Sequence, residues 1–122
     1  LAQSLRMGLA TDTGGGSSFS MLRTMAAAYE VAQLRGTALH PAQLMWLATQ
    51  GSARALRADH HVGRIAPGYE ADLVALDLAS TPAIAQRQAE ANDPWEALFP
   101  TIMMGDDRAI AGVWIGGTQR RG

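Results

Sequence analysis

The chain has 122 residues, enough for one ordinary domain and too few for a complete (β/α)8 barrel, which takes about 250. Nearly half of it is hydrophobic (48%), which excludes a disordered tail, and a net charge of −1 leaves no electrostatic footprint for nucleic acid or an anionic membrane. All ten cations are arginine and there is no cysteine, which excludes a P-loop lysine, Schiff-base chemistry, disulfides, thiolate metal sites and the His/Cys/Cys deaminase signature.

In chain order, the opening Leu1-Ala2-Gln3 has neither an initiator Met nor a basic n-region, so it reads as the middle of a protein and not as a signal peptide. Residues 5–11 (LRMGLAT) are short, mostly apolar and bounded by the glycine run Gly14-Gly15-Gly16, which suits a strand buried on both faces of a parallel sheet. Ser17 or Ser18 can cap the helix that follows, with Leu22, Ala26, Tyr29 and Ala32 at helical spacing from Phe19 and a stop at Gly36. Pro41 is placed at the first position of a second helix, in which Leu44, Leu47, Ala48 and Gly51 share a face. Residues 53–56 complete that helix or add a short turn.

After His60-His61 the texture changes to strand, turn, strand. The strands are 63–65 and 71–77, and Pro67-Gly68 supplies a type II turn between them. Thr81-Pro82 opens a helix to about Ala91, and Asp93-Pro94 opens another to about Met103. Residues 108–115 form a strand rich in Ile, Val and Trp, and Gly116-Gly117 turns it into a hairpin with 118–121. Val113, Trp114 and Ile115 are expected in a core between sheets, and Met21, Met25, Met45, Met103 and Met104 are expected to pack along helices. The whole is a βα unit, then helices, then two hairpins separated by two helices. A lone βα unit cannot cover its own sheet, so its neighbours are expected to come from outside the chain.

Asp12 is the first candidate for chemistry. It stands where the first strand ends, which is where α/β folds bind ligands, and the three glycines after it allow close approach. The bland alternative is a loop carboxylate bonding to nearby N–H groups. The loop 14–18 could instead cradle phosphate, but Phe19 occupies the third glycine position of G-x-G-x-x-G and no Gly-Lys-Ser/Thr follows, so a tight turn is the better reading. His60 and His61 lack a third ligand at useful spacing, and neither H-E-x-x-H nor H-x-H occurs, so they read as a solvated linker. His40 reads as a helix-start residue before Pro41, and Asp106-Asp107 as turn chemistry.

Three segments go further. GLATDTGGGSSFSMLRTM (8–25) resembles the end of the last barrel strand and the following helix of guanine deaminases, and LFPTIMMGDDRAIAGVWIGG (98–117) resembles their closing part. GRIAPGYEADLVALD (63–77) looks like the segment in which amidohydrolases of many kinds leave the barrel for a small β-sandwich. The resemblance covers essentially the whole chain.

It implies an α/β fold: the C-terminal part of a (β/α)8 barrel, its last strand and helices, plus strands of a small β-sandwich. Residues 1–60 would end the barrel, 61–80 and 106–122 would be sandwich strands, and 81–105 would be helices packing back on the barrel. It implies a cytoplasmic, homodimeric enzyme with one catalytic zinc, hydrolysing guanine to xanthine and ammonia, without nucleic-acid or membrane partners. Of that family's metal ligands only the Asp has a counterpart here, Asp12, which would touch the metal and carry a proton. The His-x-His pair, two later histidines and the general-acid Glu would come from a missing N-terminal part, so the chain alone is expected to be inactive. The rivals are another purine, pterin or triazine aminohydrolase, and a non-catalytic interaction module that shares the fold.

Overall fold

The computed structural model describes residues 6–12 and 14–122, a mixed α/β arrangement of helices and one three-stranded antiparallel sheet. Helix α1 (Met21–Leu34) starts at Ser20, not at Ser17 or Ser18. The Ser20 side chain accepts the Arg23 N–H and so satisfies a free donor of the first turn. Ser18 acts one step earlier, its Oγ accepting from Ser20 N at 3.0 Å. The helix ends as expected, with Gly36 at φ +76° and the Gly36 and Thr37 N–H groups returning to the Gln33 and Ala32 carbonyls.

Helix α2 (Pro41–Trp46) begins with a reciprocal cap. The His40 side chain accepts the Ala42 N–H, and the Gln43 side chain accepts the His40 N–H. The helix then widens into a π-helical turn (Leu47–Gly51) and closes as α3 (Ser52–Ala55). Buried Gly51 permits this, because a Cβ there would lie 2.8 Å from the Trp46 ring.

The next segment departs from expectation. Residues 63–65 form no strand and no hairpin with 71–77. The Pro67-Gly68 turn is present, with Gly68 at φ +85° and Tyr69 N bonded to the Ala66 carbonyl. Tyr69 ties the loop together, its hydroxyl donating to the Asp59 carbonyl and accepting from Arg64, whose guanidinium lies 4.4 Å from the ring centre. A strand needs a neighbour for its N–H and C=O groups, and none of the described residues offers 63–65 one.

Strand β1 (Leu73–Leu76) instead pairs antiparallel with β2 (Ile110–Ile115), which pairs with β3 (Thr118–Arg121) in the order β1-β2-β3. The β2–β3 hairpin turns on Gly116 and Gly117 as expected, at φ +54° and +77°, values that a primed two-residue turn demands. Between β1 and β2 run α4 (Pro82–Ala89), capped by Thr81, and α5 (Pro94–Met104), capped by Asp93. Both start where the Thr-Pro and Asp-Pro pairs place them.

The core sits where α1, α2 and α5 meet. Leu22, Met25, Leu44 and Ile102 are buried there with Ala109, ringed by half-buried Leu9, Leu39, Met45 and Leu98. The sheet is barely part of it. Val113 and Trp114 are half-buried, while Ile115 is exposed, so the three do not form the core between sheets that the sequence suggests. Of the methionines Met25 is buried, Met21, Met45 and Met103 are half-buried and Met104 is exposed. Val74 is 59% exposed, while Leu9 packs against the core.

Candidate functional site

Residues 6–12 do not form the strand expected over 5–11; Leu5 lies outside the described residues. The segment has no regular secondary structure and no neighbouring strand among the described residues, so it carries no ladder. What holds it is a helix. Leu9 N donates to the Leu47 carbonyl of the π-helical turn at 3.0 Å, and Ser52 Oγ donates to the Leu9 carbonyl at 2.8 Å. Gly8 allows this approach, because a Cβ there would collide with the Cα and Oγ of Ser52.

Three residues beyond Leu9 stands Asp12, exposed. The glycine run folds over it. Gly16 N donates to the Asp12 carbonyl at 2.7 Å, and a Cβ on Gly16 would lie at that same 2.7 Å from the oxygen. A Cβ on Gly15 would come within 2.6 Å of Asp12 Oδ2, so the carboxylate lies directly over that glycine. Gly14, at φ +106°, makes the reversal that a side chain would strain. The loop then runs into the Ser20 cap of α1. Gly15 and Gly16 thus lie against the Asp12 side chain and backbone, and Asp12 remains exposed.

The other candidates are placed elsewhere. His40 Nδ1 is occupied by the Ala42 N–H, and its ring meets Trp95 edge-on at 6.1 Å. The His60 and His61 rings lie against each other, tilted, with centres 4.0 Å apart on an exposed loop. Asp106 caps the short 3-10 turn Asp107–Ala109 and forks onto Arg108, with the closest contact at 2.7 Å. Arg108 holds the Asp106 carboxyl down at about 2 and is itself raised in return.

Among the described residues no three His, Asp, Glu or Cys side chains cluster closely enough to hold a metal. Zinc needs at least three protein ligands, and Asp12 alone offers one carboxylate, so the residues present do not fit a complete site. Two clefts, of about 610 and 640 Å³, lie between α1, α2 and α5 and between α1, the π-helical turn and the sheet; Asp12 lines neither. Ser52 and Leu47 are the residues that sequence reasoning missed. They touch the Asp12 segment from 43 and 38 positions away, and no local pattern signals such a contact.

Comparison with known proteins gives the frame for this geometry. The sequence matches the Amidohydrolase family over residues 1–120. It is 36% identical to guanine deaminase of Escherichia coli over 93% of the chain and 26% of that protein. It is 39% identical to the probable guanine deaminase of Deinococcus radiodurans over 96% of the chain and 27% of that protein. The solved structure of E. coli guanine deaminase superposes with a TM-score of 0.89 over 93% of the chain and 27% of its own. An adenosine deaminase from Xanthomonas campestris with bound zinc superposes at 0.76, with 26% identity, over 97% of the chain and 26% of its own. The chain thus spans about a quarter of the length of the relatives it matches. No helix among the described residues is long and apolar enough to cross a membrane.

Proposed function

The chain belongs to the amidohydrolase family, and from that premise we propose that it is the C-terminal part of a zinc-dependent guanine deaminase, cytoplasmic, hydrolysing guanine to xanthine and ammonia. The observation that carries this reading is the close superposition on a guanine deaminase over nearly all of the chain. The Asp12 loop adds to it: a solvent-open carboxylate, its backbone clasped by glycines.

In this reading Asp12 supplies one metal contact and the base. Asp12 would be one of the residues holding a zinc in the complete site, where the metal would make a water more acidic; the Asp12 carboxylate would be the group that takes up and returns a proton. The histidine ligands, the general-acid Glu and most purine contacts belong to residues outside this chain, and the chain by itself is inactive.

The test is Asp12→Asn in the protein that carries the full site. The amide keeps the shape and loses the base, so kcat on guanine falls by at least about a hundredfold with the circular dichroism unchanged. Activity within a few-fold of the parent overturns the role. The likeness to an adenosine deaminase supports a second reading, a related purine aminohydrolase. Parallel assays with guanine, adenine and adenosine separate the two.

A further inference from the structure

The hydrogen bonds that reach the Asp12 segment come from one unusual place. The π-helical turn (Leu47–Gly51) is followed at once by Ser52, and the Ser52 hydroxyl lies 2.8 Å from the Leu47 carbonyl and 2.8 Å from the Leu9 carbonyl. The Leu47 carbonyl also accepts the Leu9 N–H, at 3.0 Å. Both backbone groups of Leu9 therefore face the helix: its N–H bonds the Leu47 carbonyl, and its carbonyl shares the single Ser52 hydroxyl proton with that carbonyl. Single π-helical turns inside α-helices are costly and are often kept where they serve a site. Here the wide turn presents a carbonyl to a partner outside the helix, and Gly8 lets the two backbones meet.

We infer that Ser52 is a positioning residue for Asp12, fixing through Leu9 and the Leu47 carbonyl the place at which the carboxylate enters the site. The inference rests on the assignment of Asp12 as metal contact and base. Ser52 touches no substrate. It acts along three residues of chain, at the far end of which the loop 14–16 holds the Asp12 carbonyl. The carboxylate is thus set between two anchors, one on the helix and one on the glycines. Loss of the helix anchor leaves the glycine anchor in place, so the acid stays on its loop but shifts relative to groups supplied by the rest of the enzyme.

The experiment uses the complete enzyme with Ser52→Ala, Ser52→Thr, Gly8→Ala and Asp12→Asn. Kinetics on guanine, zinc retained after dialysis against a chelator, and Tm are measured for each. Ser52→Ala is expected to lower kcat on the order of tenfold or more with KM within about twofold, since small displacements of catalytic groups cost that much. It should also lose zinc faster, while Tm changes little. Ser52→Thr, which keeps the hydroxyl, recovers both, and Gly8→Ala reproduces the defect from the other side of the contact. Parent-like kcat and zinc retention in Ser52→Ala, beside an inactive Asp12→Asn, overturns the inference and leaves the function standing. A kcat loss that tracks a fall in Tm, or that Ser52→Thr does not recover, also overturns it. Full activity in Asp12→Asn overturns the functional reading itself.

Discussion

Leu44 is the side chain on which the packing of α1, α2 and α5 can be tested most directly. It is fully buried on α2 and lies in one cluster with Leu22 and Met25 of α1 and Ile102 of α5. Replacing it with alanine removes three carbons from water-free surroundings, which at about 0.8 kcal/mol per methylene gives about 2.4 kcal/mol. These neighbours are held on two other helices and cannot all close the gap, so a cavity term adds to this and the total is about 3 kcal/mol, within the usual 2–5. Leu44→Met keeps nearly the same volume and should cost less than about 1.5 kcal/mol. Urea unfolding of the full protein, fitted with a common slope, reads both values from the midpoints. Equal losses from the two variants, or a loss under about 1 kcal/mol from Leu44→Ala, would refute the argument, because the site would then be able to collapse or fill with water.

Two smaller effects follow from the helix ends and the turns. Asp93 Oδ1 accepts the Trp95 and Glu96 N–H groups at 2.7 and 2.9 Å, so Asp93→Ala should cost about 1 kcal/mol by urea unfolding while Asp93→Ser costs much less. Asp106 has its carboxyl depressed from 3.8 to about 2 by the fork onto Arg108. A depressed acid stabilises the fold above its ordinary value and stops doing so as it protonates, so this contribution is present above pH 3.8 and is lost as pH falls toward about 2. An NMR titration of the Asp106 carboxyl should show that Arg108→Ala moves its midpoint up toward the ordinary value; an unchanged midpoint contradicts the assignment of cause.

The helices were legible because their signals are local. His40-Pro41, Thr81-Pro82 and Asp93-Pro94 each place a cap beside a proline whose missing N–H costs nothing at a first turn, and each starts a helix in the structure. Gly116-Gly117 is equally local, two residues that accept left-handed φ, and the hairpin is there. The strands expected at 5–11 and 63–65 rest on the character of those residues alone. A strand exists only with a neighbour, and neither the described part of the first segment nor the second has one. The pairing that does form, β1 on β2, joins Leu73 to Trp114 across two intervening helices, and no turn signal could announce it.

The same distinction decides what could be read of the site. Asp12 and its glycines are adjacent in sequence, so the acid and the loop that folds over it could be named together. The anchor on the other side could not, because it depends on a π-helical turn that no residue pattern from Leu44 to Gly51 distinguishes from a plain α-helix. That turn widens where buried Gly51 gives the Trp46 ring room, and the displaced backbone offers the Leu47 carbonyl to Leu9. The π-helical turn thus offers the Leu47 carbonyl to Leu9 and gives the segment before Asp12 a fixed point three residues ahead of its carboxylate.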